Sequence, residues 1–139
     1  MRILQGVGRV IFAGMGYVQC ISPLVADELF TIERNDPRPF RIHGSPDETK
    51  ATYAMMRELA AEIRRVTGVD VEVKGYAPAF AGDFYVSTQP WAAAGAYTYG
   101  SRNGVMGFHG SDVQGTEAAL RHFIDTYVKP VPTEAERLE

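Results

Sequence analysis

The stretch from Pro39 to Val73 constrains the fold more than any other part of the chain, because it holds a strand, a helix and a second strand with their own start and stop signals. Pro39-Phe40-Arg41-Ile42-His43 alternates apolar and polar residues as a strand does. In Gly44-Ser45-Pro46-Asp47-Glu48, Ser45 supplies a capping hydroxyl, Pro46 suits the first helical position, and Glu48 completes a capping box. The spacing predicts a helix from there to about Thr67, with Tyr53, Met56, Leu59, Ala60, Ile63 and Val66 on one face and Gly68 as its stop. Arg57, Glu58, Glu62, Arg64 and Arg65 form the solvated face. Val69, Val71 and Val73 then alternate with Asp70, Glu72 and Lys74, the pattern of a half-buried strand.

The remainder continues in the same style. A strand is predicted from Asp83 to Gln89, and Asn103-Gly104 joins Ala96–Arg102 to Val105–His109 as a hairpin, since both turn residues tolerate positive φ. A last helix starts between Ser111 and Thr116, carries Leu120, Phe123, Ile124, Tyr127 and Val128 on one face, and stops at Pro130. The order β-α-β-β-β-β-α predicts an α+β fold, a mixed β-sheet with two main helices packed on one face. We assign residues 27–130 to this single α/β domain and residues 131–139 to a polar C-terminal tail.

The amino end differs in composition. From Val10 to Ala26 the chain is apolar, with no charge until Asp27. Residues 1–26 read as a secretory signal with small residues near Ala26 for cleavage, as a membrane anchor through residues 10–26, or as a buried element of the fold. A bilayer core takes about 20 apolar residues, and Gln19, Ser22 and Pro23 interrupt this shorter run. A signal or anchor would place the protein in a secreted, periplasmic or membrane-associated setting. Val10 to Val18 also resembles a strand entering a Gly14-x-Gly16 turn, with Glu33 where a ribose-binding acid would lie. The third glycine of that fingerprint is replaced by Gln19, so no cofactor is expected.

Charge and cysteine content exclude further classes. Lys and Arg number 14 against 17 Asp and Glu, and the resulting −3 is spread without blocks, so no nucleic-acid partner is expected. The single cysteine, Cys20, excludes an internal disulfide framework and a Cys-rich zinc site, and lies among apolar residues as an inert thiol. His43, His109 and His122 show no HExxH spacing, and His122 falls on the last helix among solvated residues, so no metal is expected. No GxSxG elbow is present, and capping accounts for Ser45 and Ser111. Asp83, Asp112 and Glu117 are loop or helix-start residues with ordinary structural explanations.

One internal echo bears on function. Phe40-Arg41-Ile42-His43-Gly44-Ser45 and Met106-Gly107-Phe108-His109-Gly110-Ser111 both run as strand ends through His-Gly-Ser into a helix. If the two strands are parallel neighbours, His43, Ser45, His109 and Ser111 gather at one sheet edge beside two helix amino ends, a setting that favours anions. The competing reading is that strand-to-helix turns select glycine and a capping hydroxyl with or without a ligand. Trp91 offers an aromatic face to a sugar or partner, whereas Tyr97 and Tyr99 alternate on one strand face and are expected to cover core. The candidate ligand-binding residues are thus His43, Ser45, Trp91, His109 and Ser111, with no catalytic residue assigned.

A family resemblance joins these observations. Arg57-Glu58-Leu59-Ala60-Ala61-Glu62-Ile63-Arg64-Arg65-Val66-Thr67-Gly68-Val69 resembles the helix and following strand of the small non-catalytic α/β domain preceding the barrel of β-N-acetylhexosaminidases and α-glucuronidases. Gly104-Val105-Met106-Gly107-Phe108-His109-Gly110, followed by Gly115-Thr116-Glu117-Ala118-Ala119-Leu120, is similar to that domain's closing hairpin and helix. The resemblance spans residues of about 39–128 and is one of fold. In those enzymes the barrel performs the chemistry, and 139 residues do not hold one, so no catalytic residue carries over. It implies a non-catalytic accessory or interaction domain, carbohydrate-associated or a subunit of a larger assembly, whose partner is another protein subunit or a saccharide. The alternative is a small ligand-binding module or hydrolase using the strand-end edge with His43 and His109.

Overall fold

Phe40 and Ile42, Phe84 and Val86, and Met106 and Phe108 occupy alternate positions in three segments, and side chains in a strand alternate between faces. In the computed structural model these segments lie side by side and bury all six side chains on one face. The structure describes residues 2–4, 10–12, 32–75, 80, 82–91, 93–102, 105–131 and 133. Its elements in chain order are β1 (Arg2–Leu4), β2 (Val10–Phe12), β3 (Ile32–Glu33), β4 (Phe40–Gly44), α1 (Lys50–Thr67), β5 (Val71–Lys74), β6 (Phe84–Thr88), β7 (Tyr97–Arg102), β8 (Val105–Gly110) and α2 (Val113–Phe123). A π-helical turn, Ile124–Val128, continues α2.

The main sheet has the order β2-β7-β8-β6-β4-β5, and β1 pairs with β3 in a separate two-stranded sheet. Strands β5, β4, β6 and β8 are mutually parallel, while β7 is antiparallel to β8 and β2 antiparallel to β7. The expected α+β class and the order β-α-β-β-β-β-α are both present from β4 to α2. The expected hairpin is there too, with Arg102 opposite Val105, although Asn103 and Gly104 themselves lie outside the described residues.

Both helices pack on the same face. Met56, Leu59, Ile63 and Val66 of α1 and Ala119, Leu120 and Phe123 of α2 join the strand residues in one buried cluster. At its centre Phe108 meets Phe123 edge-on with centroids 5.2 Å apart, and Tyr99 meets Phe123 edge-on at 5.7 Å. Tyr97 and Tyr99 therefore cover core, as their alternation suggested. His122 departs from its expected solvated position, because it is half-buried with Nδ1 2.6 Å from the Tyr99 hydroxyl. Burial pushes its pKa down, against the opposing pull of Asp125.

Helix starts are corrected by the structure. Residues 45–48 form a turn in which the Ser45 N–H donates to Val86 O (3.0 Å) and the Glu48 N–H to Ser45 O (3.2 Å), so the sheet claims Ser45 and the helix begins four residues after Pro46. Thr49 is the N-cap, its hydroxyl accepting from the Thr52 N–H at 3.1 Å. Asp112, one residue past Ser111, caps α2 by accepting from the Gly115 N–H at 2.7 Å. The α1 stop is as expected: Gly68 has φ 78° and donates its N–H to Arg64 O at 2.8 Å. Thr49→Ala is expected to cost about 1 kcal/mol of stability, read as a lower urea midpoint at unchanged slope.

The alternatives for residues 1–26 meet the structure only in part. Val10–Phe12 is a strand paired with Tyr97–Tyr99 at the sheet edge, and Arg2–Leu4 pairs with Ile32–Glu33. The signal cleavage region, the Gly14-x-Gly16 turn and Cys20 lie outside the described residues, as does most of the C-terminal tail. Among the described residues no helix is long and apolar enough to cross a membrane.

Candidate functional site

The sheet face opposite the helices carries the residues that alternate with the core positions. Ser87 of β6 lies directly opposite His109 of β8, which lies directly opposite Thr98 of β7. Neighbouring strands are about 4.8 Å apart, so the sheet itself sets these three side chains in a row. Ser87 Oγ and His109 Nδ1 share a hydrogen bond of 2.6 Å. The pair lines an open hollow of about 260 Å³ together with Gln89, Trp91 and Thr98.

The rim of the hollow is built from the chain leaving β6. The Gln89 N–H donates to Gly110 O at 2.9 Å, and the Trp91 N–H donates to Ser111 Oγ at 3.3 Å. These bonds tie the exits of β6 and β8 together and leave Trp91 42% exposed. Asp112 ties the turn before β7 to α2, since one carboxylate oxygen caps α2 and the other accepts from the Gly95 N–H at 2.9 Å. Ser87 is buried, while His109 remains exposed at the opening. Partial burial of the imidazole pushes its pKa below the ordinary histidine value.

His43 lies on the same face but in a different environment. Strand β6 stands between β4 and β8, so His43 is opposite Tyr85, two residues before Ser87. The two His-Gly-Ser strands are therefore parallel without being neighbours. His43 is fully buried, with Nε2 2.8 Å from Asp83 Oδ2, and its Nδ1 has no hydrogen-bond partner among the described residues. Asp83 also accepts from Arg41 Nη2 at 2.8 Å, Arg41 Nε at 3.2 Å and the Phe80 N–H at 2.8 Å. Burial alone would raise the Asp83 pKa, but Arg41, the Phe80 amide and His43 together hold it below the ordinary carboxylate value. Asp83 is thus the anchor of a buried cluster, a role its loop position did not suggest.

Both helix amino ends carry a side-chain cap. Thr49 and Asp112 each accept one N–H of the first turn, that of Thr52 in α1 and that of Gly115 in α2. Thr88 Oγ1 donates to Glu48 at 2.9 Å and lies 2.5 Å from Thr116 Oγ1, and burial pushes the Glu48 pKa up. Ser45 belongs to this closed polar edge, and Ser111 supports the backbone of Trp91. Of the five candidate residues, the hollow takes in His109 and Trp91 directly and Ser111 through its bond to Trp91, whereas His43 and Ser45 lie elsewhere. Among the described residues no group of three or more His, Cys, Asp or Glu side chains is placed to hold a metal ion.

Ser87, Gln89 and Thr98 are site residues that sequence reasoning missed. The signal was parity: Ser87 and Gln89 are out of phase with the core residues Phe84 and Val86, and Thr98 is out of phase with Tyr97 and Tyr99.

The architecture is a small α+β domain, a mixed sheet with two helices on one face. Among solved structures the chain is similar to a family GH115 4-O-methyl-α-glucuronidase with specificity for decorated arabinogalactans, at a TM-score of 0.52 and 16% identity. The match covers 68% of this chain and 14% of that one, so it is a likeness of fold to a small part of a larger enzyme. No family model matches the sequence, and no curated protein matches it.

Proposed function

We propose that the chain is an accessory domain that holds a saccharide at the hollow on the sheet face opposite α1 and α2. The observation that carries this reading is an exposed indole at the rim of a hollow lined by Ser87, Gln89, Thr98 and His109. An aromatic ring packs against the C–H face of a sugar while hydroxyl, amide and imidazole groups meet its hydroxyls. The fold likeness to part of an α-glucuronidase supports the same reading. Glycosidic cleavage needs two carboxyl groups roughly 5–9.5 Å apart across the scissile bond, and no carboxylate is among the described residues lining the hollow. Asp83, the buried acid on this side, is committed to Arg41 and His43. The domain therefore binds the saccharide without hydrolysing its glycosidic bonds. With about 260 Å³ of open space, the hollow suits a short stretch of saccharide and not an enclosed ligand.

Trp91 is the single tryptophan, so its emission reports on the site alone. Titrating the full chain with arabinogalactan and xylan oligosaccharides is expected to give a saturable change in the millimolar range. Trp91→Ala, followed by calorimetry, is expected to weaken binding at least tenfold, about 1.4 kcal/mol. An unchanged emission spectrum throughout that range counts against the reading.

A further inference from the structure

We infer that Ser87 and His109 form a nucleophile and general-base pair, and that the hollow accepts acyl esters for transfer to the Ser87 hydroxyl and then to water. Four observations converge on this assignment. Ser87 Oγ and His109 Nδ1 are 2.6 Å apart, the separation at which a base takes a hydroxyl proton. The two residues face each other in register on adjacent parallel strands, so the geometry is held by the sheet and not by a loop. Both line an open hollow, Ser87 from its floor and His109 at its exposed opening. Burial lowers the imidazole pKa and so favours the neutral ring, whose Nδ1 accepts a proton in the tautomer with its hydrogen on Nε2.

The chemistry balances with the ester and water alone. Ser87 Oγ attacks the carbonyl carbon while its proton passes to His109 Nδ1. The bond from that carbon to the alcohol oxygen breaks, and the leaving alkoxide takes the proton from His109. A water molecule, deprotonated by His109, then attacks the acyl-serine, and the serine oxygen leaves with the proton as the carboxylic acid is released. Gln89 lines the same hollow and carries an amide N–H able to donate to the developing oxyanion. No hydrogen bond from a carboxylate to His109 is present among the described residues, so the pair works without the orienting acid of a triad. Turnover is accordingly slow, and with an activated ester, whose leaving group needs no proton from His109, acylation outpaces deacylation and acyl-serine accumulates. The substrate class, O-acyl esters carried on a saccharide, rests on the proposed saccharide reading, whereas the nucleophile assignment does not.

The test uses the full chain and diisopropyl fluorophosphate, followed by intact mass and peptide mapping. One adduct located on Ser87 is expected, absent in Ser87→Ala and formed at least 30-fold more slowly in His109→Gln, which can still bond to Ser87 but cannot take its proton. Both variants are to match the parent in circular dichroism, and wild type is to release p-nitrophenol from p-nitrophenyl acetate with a burst near one equivalent. The absence of an adduct, an adduct on another residue, or equal labelling of His109→Gln overturns the assignment. Neither probe carries a sugar, so labelling of Ser87 without any tryptophan response to oligosaccharides refutes the saccharide reading alone. Acetate release from acetylated xylo-oligosaccharides supports the substrate class, and labelling with no such release overturns that class while the nucleophile stands.

Discussion

Replacing Asp83 with alanine is expected to lower the unfolding free energy by about 3–5 kcal/mol, the usual cost of removing one partner from a buried charged cluster. Asp83 is 2% exposed, and its carboxylate collects donors from Arg41, His43 and the Phe80 amide. Its loss strands the fully buried His43 ring and the partly covered Arg41 guanidinium together. The same carboxylate sets an acid dependence. Its pKa is lower in the folded chain than in the unfolded one, so its contribution is complete above the unfolded value of about 3.9 and is lost as pH falls through the folded value. Urea unfolding of wild type and Asp83→Ala should differ most above about pH 5 and converge as the acid is titrated below about pH 4. A constant gap down to pH 2 would show that the carboxylate is not what stabilises the cluster.

The two glycines of the His-Gly-Ser echo should respond very differently to alanine. A Cβ at Gly110 would stand 2.6 Å from Thr116 Cα and closer still to the Thr116 amide nitrogen and hydroxyl. Those are atoms of the first turn of α2, which is fixed by the Asp112 cap and by the bond from Thr116 to Thr88. Overpacking costs about 1–3 kcal/mol where neighbours can shift, and with backbone in the way Gly110→Ala is expected at or above the top of that range. At Gly44 the nearest atoms are the far end of Tyr53, at 2.9 and 3.1 Å, and the Glu48 side chain at 3.3 Å. Both can swing, so Gly44→Ala should cost about 1 kcal/mol or less. Thermal melts of the two variants give the comparison directly, and equal midpoints would contradict the packing at Gly110. Because Gly110 O accepts from Gln89 and the adjoining Ser111 accepts from Trp91, the Gly110 variant should also shift the tryptophan emission.

The fold was legible where periodicity and stop signals agreed. The α1 face from Met56 to Val66, the Gly68 stop and the alternation around Phe40, Phe84 and Phe108 each name one element, and together they leave few ways to close a core. Helix starts were less legible, since residues 44–49 hold two hydroxyl caps in succession and only the backbone pairing of Ser45 with Val86 selects the second. Of the residues that line the hollow, the sequence singled out Trp91 and His109. The hollow's central bond was not legible, because nothing in the local sequence says that β6 inserts between β4 and β8. That insertion sets Ser87, 22 residues upstream, against His109, and leaves His43 to the carboxylate of Asp83. The echo correctly marked two strand ends, but sheet order decided which of them faces open space.

The sheet order also bears on how copies of the chain meet in crowded solution. At one margin β5 is four residues long and presents Glu72 and Lys74, bonded to each other at 3.0 Å, and at the other β2 is three residues long. A short, charged margin such as β5 is a poor template for adding a further strand. Concentrated solutions of the chain should therefore resist sheet growth at the β5 margin.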